Sequence, residues 1–237
     1  NWYERECYDL FGIKFINQVS DDLIASNRAL LSGGGVAIGD IDNDGLADIY
    51  FCKTDGSNAL YRNKGNWKFE DITDKTGVGC VDQFSTGAVF ADIDGDSDLD
   101  LLVTALGGPN ALFINDGTGQ FEEAGEEAGF VSNSGATSLA IADIEQDGDL
   151  DIYLTNNKKR SARDIFSLKE RTFENTTIKT EDGWEILPEF REHYQISVQG
   201  GFLQRFEYAE ADFILINDGF GKFERGNLTE GRFLDYD

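Results

Sequence analysis

Asp40-Ile41-Asp42-Asn43-Asp44-Gly45-Leu46-Ala47-Asp48 sets carboxylates at positions 1, 3, 5 and 9 of a nine-residue run. It returns as Asp92-Ile93-Asp94-Gly95-Asp96-Ser97-Asp98-Leu99-Asp100. A third copy is Asp143-Ile144-Glu145-Gln146-Asp147-Gly148-Asp149-Leu150-Asp151, with Glu in place of Asp at position 3. Four anions so close together repel one another unless a cation sits among them. Hard oxygen donors at alternating positions suit Ca2+, which takes about six to eight oxygens in flexible geometry. The expected ligands are the carboxylates of Asp40, Asp42, Asp44 and Asp48, of Asp92, Asp94, Asp96 and Asp100, and of Asp143, Glu145, Asp147 and Asp151. Position 7, occupied by Leu46, Asp98 and Asp149, is expected to add its backbone carbonyl.

The loop is not an EF-hand. That motif needs a bidentate Glu at position 12 and a helix on each side. Position 12 here is Phe51, Val103 and Leu154, and the flanks around 36–40 and 48–51 are short apolar runs of β type. Each loop therefore joins two strands. Gly45 and Gly148 at position 6 supply the sharp turn, whereas Ser97 stands there in the second copy.

The spacing sets the architecture. Asp40 to Asp92 is 52 residues and Asp92 to Asp143 is 51. Asn58-Ala-Leu-Tyr-Arg-Asn63 recurs as Asn110-Ala-Leu-Phe-Ile-Asn115, and Lys68-Phe-Glu-Asp-Ile-Thr73 has its counterpart in Gln120-Phe-Glu-Glu123. Each unit reads as a loop-bearing hairpin, a third strand, a turn and a fourth strand. Strands are expected over 35–40, 48–53, 58–63 and 67–72, then over 86–92, 100–105, 110–115 and 119–123. Four short strands at a period near 50 are the signature of a β-propeller blade. Phe69, Phe121 and Phe223 fall at equivalent places and are expected between blades.

Val36-Ala-Ile-Gly-Asp-Ile-Asp-Asn-Asp-Gly, with Ala-Leu-Tyr-Arg-Asn and Phe-Glu-Asp-Ile-Thr following it, resembles the FG-GAP/VCBS repeats of integrin-α propellers. It is more similar still to the cartilage acidic protein/UnbV-like group of secreted repeat proteins, over roughly residues 11–237. The resemblance implies an extracellular calcium-binding propeller module used in adhesion or ligand binding. It implies no enzyme. Separately, Asn-Trp-Tyr-Glu-Arg-Glu-Cys-Tyr-Asp-Leu-Phe-Gly-Ile over residues 1–13 resembles a segment of the 30-kDa subunit of NADH–quinone reductase. The repeats, which fill nearly all of the chain, argue against that subunit's function here.

The expected organisation is a lead-in segment over 1–34, a first blade over 35–82, a second over 83–132 and a third over 133–237. The third is interrupted. Asp40 to Asn63 and Asp92 to Asn115 each span 23 residues, but Asp143 to Asn217 spans 74, so about 51 residues are inserted near 159–210. Within the insertion, 194–198 and 206–208 read as strands. Insertions in repeat proteins often carry binding, so this one is the candidate for partner specificity; otherwise it covers a blade edge. Three units cannot close a ring of about four to eight blades. An all-β, incomplete arc of three blades with a β-rich insertion is expected.

The chain has 45 acidic and 20 basic residues, a net charge of −25, which argues against nucleic acid and anionic membrane surfaces as partners. Three bound calcium ions would offset six of those charges. With 18 Phe, 8 Tyr and 3 Trp the chain has the apolar groups for a core despite its acidity. It contains no Met, even at its first residue, and reads as a processed product or fragment, so a missing signal peptide says nothing about secretion. No apolar run is long enough to span a membrane. Cys7, Cys52 and Cys80 lack metal-ligand spacing; Cys52 reads as a buried thiol, with a Cys52–Cys80 disulfide the alternative. Asn175-Thr-Thr177 and Asn227-Leu-Thr229 fit the glycosylation pattern.

These features lead to a secreted, cell-surface or periplasmic module that binds a protein or glycan, with up to three structural calcium ions. One His and no nucleophile elbow leave little for catalysis. Calcium-assisted polysaccharide cleavage is the enzymatic alternative, and a fragment of the reductase subunit is the other.

Overall fold

A computed structural model describes residues 11–226. Three four-stranded antiparallel sheets follow one another along the chain. The first is β1 (Val36–Gly39), β2 (Asp48–Phe51), β3 (Ala59–Asn63) and β4 (Phe69–Asp71), paired in that order. The second is β5 (Ser85–Ala91), β6 (Asp100–Ala105), β7 (Ala111–Asn115) and β8 (Phe121–Glu123). The third takes β9 (Ala136–Ala142) and β10 (Asp151–Asn156), then resumes after the insertion with β15 (Phe213–Asn217) and β16 (Phe223–Arg225). The expected strands are present, most of them shorter by a residue or two at their ends.

Two apolar cores lie between successive sheets, and the alternation of strand side chains builds both. Leu101, Val103, Ala111 and Phe113 of the second sheet meet Ala37, Tyr50, Cys52 and Leu60 of the first. Leu102 and Leu112, one register position along, meet Ile152, Leu154, Phe213 and Leu215 of the third. Covered on both faces, β6 has all six residues buried. Phe121 packs on the first core and Phe223 lies in the second, whereas Phe69 is only half-buried and belongs to neither. The first strands of the sheets converge. A Cβ on Gly35 would lie 2.7 Å from the Gly87 Cα, and one on Gly87 would lie 3.4 Å from the Thr137 carbonyl oxygen. At Gly35 only glycine admits so close a backbone approach.

The insertion is a unit of its own. It holds the hairpins β11 (Thr177–Thr180)–β12 (Gly183–Ile186) and β13 (Tyr194–Gln199)–β14 (Phe202–Glu207), each a separate two-stranded sheet. Ala162, Ile186, Phe190 and Tyr194 form its small core. It therefore does not extend a blade by strand pairing, and the strand expected over 206–208 ends at Glu207. Asn175 sits in a short helical turn, Phe173–Thr176, and donates from Nδ2 to the Lys169 carbonyl.

Residues 11–34 are tied to the first sheet. Phe15 stacks on Phe51 with ring centroids 4.9 Å apart, and the Tyr61 hydroxyl donates to the Lys14 carbonyl. Asn17 Oδ1 accepts from the Thr54 N–H, and a helical turn (Asp21–Ser26) follows. Cys52 and Cys80 are free thiols in the core between the first two sheets, and burial pushes them up to about 12 and about 11. Cys7 and the Asn227 sequon lie outside the described residues. Among those described, no helix is long and apolar enough to cross a membrane.

Candidate metal centres

Each Asp-rich run is the connection from the first to the second strand of its sheet, and all three fold by similar hydrogen bonds, the second using the position-4 N–H where the others use position 5. The position-1 carboxylate folds back over the loop. Asp40 accepts from the N–H groups of Asp44 and Gly45, Asp92 from Gly95 and Ser97, and Asp143 from Asp147 and Gly148. The position-5 carboxylate accepts from the position-7 N–H in the pairs Asp44–Leu46, Asp96–Asp98 and Asp147–Asp149. These bonds need two left-handed residues per loop. Asn43 and Gly45 have φ of 55° and 84°, Gly95 and Ser97 both 78°, and Gln146 and Gly148 63° and 104°.

Position 9 is buried. One oxygen of Asp48 accepts from the Ile41 N–H at 3.1 Å and the other from the Asn63 N–H at 2.7 Å. Asp100 does the same with Ile93 and Asn115, and Asp151 with Ile144 and Asn217. This residue therefore locks the loop to the third strand, a role beyond the ligand one expected for it. Its place at the mouth of an apolar strand was the available signal. Burial raises the Asp48 carboxyl, and it pushes Asp100 up to about 6 against the pull of the Asn115 and Ile93 amides. Asp94 is raised by burial and then by the Asp96 charge. Asp149 is raised too, by desolvation first and then by the charges of Asp147, Asp143 and Asp151.

Asp40, Asp42 and Asp44 bring carboxylate oxygens within 4.8 Å of one another, as do Asp92, Asp94 and Asp100. Both groups are all-oxygen and anionic, which fits a hard cation. Asp42 adds a sharper sign: its Oδ1 is buried and accepts no hydrogen bond. Its Oδ2 lies 2.9 Å from the Arg62 Nε, a cation that the first sheet alone carries, since Ile114 and Ile216 hold that register position in the others. Asp96 stands outside the second gathering, and Asp143, Glu145 and Asp147 form no such group among the described residues.

The loops also touch the next sheet. Asn115 Nδ2 donates to the Leu99 carbonyl of its own loop and to the Ile41 carbonyl of the preceding one. Asn217 repeats this with Leu150 and Ile93. Arg62 reaches forward to the Thr118 carbonyl.

Fold and loops together define a repeat protein of four-stranded β units, each built on an acidic loop, two of which gather carboxylates that could hold a metal ion. Residues 40–103 and 92–154 match the FG-GAP-like repeat family, so the chain carries repeats of that kind. It is 31% identical to cartilage acidic protein 1 of Xenopus tropicalis over 144 residues, which are 59% of this chain and 22% of that protein. The mouse protein of the same name is 28% identical over 55% of this chain and 21% of its own, and the human one is 28% identical over 55% and 20%. The chain thus spans about a fifth of the length of these relatives. Residues 1–27 match the respiratory-chain NADH dehydrogenase 30 Kd subunit, a longer stretch than the 13 residues that first suggest it. The described part of that stretch lies against the first sheet.

Proposed function

We propose that this chain is an extracellular repeat module in which calcium holds the Asp-rich loops and the molecule binds a protein or glycan. The observation that carries the reading is the convergence of the loop carboxylates, with the buried Asp42 Oδ1 left without a donor. Asp40, Asp42, Asp44 and Asp48 would hold an ion with the Leu46 carbonyl, and Asp92, Asp94, Asp96 and Asp100 another with that of Asp98. Asp143, Glu145, Asp147 and Asp151, with Asp149, would hold a third and weaker one. When bound, the ion supplies the positive charge that lets these carboxylates stay ionised side by side. The chain's own part is to pin them with backbone N–H groups before any ion arrives.

An extracellular or periplasmic setting agrees with this chemistry, because extracellular calcium modules work at dissociation constants of roughly 10⁻⁴–10⁻³ M. The acidic relatives named for cartilage support the same setting. No catalytic residue is assigned. Calorimetric calcium titration tests the proposal: three binding events are expected, with Asp44→Ala, Asp96→Ala and Asp147→Ala each removing one. Heats unchanged by all three substitutions would refute it.

A further inference from the structure

The insertion differs from the rest of the chain in charge. Residues 158–210 hold nine of the 20 basic residues against ten of the 45 acidic ones, so this stretch is nearly neutral in a strongly anionic chain. Where it leaves β10 it borders a cavity of about 710 Å³, shared with the ends of β9 and β10 and the turn at Arg28. The calcium loop enters β10 at Asp151, whereas the cavity lies at Thr155 and Asn156. At about 3.3 Å per residue those ends are roughly 17 Å apart. A register shift at the same place leaves Thr137 as a bulge residue lining the cavity. Bulges re-aim side chains and gather beside binding sites.

The groups lining the cavity divide into those with partners and those without. Both acids are engaged: Glu207 accepts from the Ala162 N–H and Ser161 Oγ and pairs with Lys158 at 3.3 Å, and Asp212 accepts from Tyr153 Oη and the Asn156 N–H. Arg28 faces Asp164. Three groups are left over. Asn156 is only 8% exposed, yet its Oδ1 accepts no hydrogen bond. The Arg163 side chain makes no ion pair or hydrogen bond among the described residues. Tyr208 is 42% exposed and has no ring partner among them. What remains is an acceptor wanting a hydroxyl, a cation wanting an anion and an aromatic face wanting a flat apolar one.

We infer that this cavity binds an acidic saccharide, with a sugar ring on Tyr208, its carboxylate at Arg163 and a hydroxyl donating toward Asn156. The volume falls in the range of about 300–1,000 Å³ usual for small-ligand sites. The inference rests on the binding-module reading and names the ligand class within it. It is tested by calorimetry at saturating calcium with trigalacturonate, its carboxyl-reduced trisaccharide and hexaglutamate. Trigalacturonate is expected to bind, the reduced sugar about tenfold more weakly or worse, and hexaglutamate not at all. Arg163→Gln and Tyr208→Ala should each weaken trigalacturonate by about tenfold, and Tyr208→Phe should retain it. Equal binding of the reduced sugar, preference for hexaglutamate, no binding of trigalacturonate, or indifference to Arg163→Gln would each overturn it. Melting of the same samples with and without calcium reports separately on the parent reading and shows that the variants are folded.

Discussion

Asp48, Asp100 and Asp151 engage both carboxylate oxygens with backbone N–H groups, and this ties loop chemistry to fold stability at single residues. The pH consequence has a definite sign. Asp100 is raised to about 6 from 3.8, so proton uptake favours the metal-free fold. Its contribution is complete below 3.8 and is lost as pH rises through about 6. In EDTA the urea midpoint should therefore rise as pH falls from about 7 to about 5. At saturating calcium it should fall over the same window, because protons then compete with the ion. Ser97 makes a second residue-scale prediction. It holds φ of 78° where the other loops have Gly, and a left-handed non-Gly residue costs roughly 1–2 kcal/mol. Ser97→Gly should stabilise by about 1 kcal/mol after the added chain entropy of Gly, read as a urea midpoint shift in calcium. The position-6 turn is legible in the sequence from Gly45 and Gly148. The position-4 turn is only partly so: Asn43 and Gly95 are residue types that favour a left-handed backbone, but Gln146 is not.

Between elements, the asparagine closing each third strand does the stitching. Asn115 and Asn217 each bridge their own loop to the preceding one, whereas among the described residues Asn63 Nδ2 donates only to the Ala47 carbonyl of its own. Asn115→Ala removes the donors to one buried and one half-buried carbonyl and should cost about 2–3 kcal/mol. Asn63→Ala should cost about half that in the same denaturation experiment, and equal costs would show that the bridge to the neighbouring loop is without weight. The repeated Asn was visible as a marker of register, but its target 74 residues back was not, because that contact exists only once two sheets stack. The insertion follows the same logic. Phe202 to Glu207 forms a strand although much of it is exposed, so no alternation marked it. Gly200-Gly201 between two extended runs was the available turn signal.

At the scale of the whole molecule, the sheets and their order followed from one spacing, because a loop that must gather carboxylates tolerates few other sequences. The cavity beside the insertion was less legible. Tyr208 lies 45 residues beyond Arg163 and 52 beyond Asn156, and it joins them only because the insertion folds back over the end of β10. The central claim is that metal at the loops holds the arc of sheets together against a net charge of −25. Its most direct test is thermal unfolding of the chain across a calcium titration, with EDTA and magnesium as controls. A site with a dissociation constant near 10⁻⁴ M, held at about 10 mM calcium, gains about 2.7 kcal/mol. For a chain of this size that is a rise of roughly 5–10 °C per occupied site. The melting temperature should climb with free calcium, fall in EDTA and respond weakly to magnesium, which demands stricter octahedral geometry. A melting curve unmoved by calcium would contradict the account and leave the three loops as acidic turns held by their own backbone.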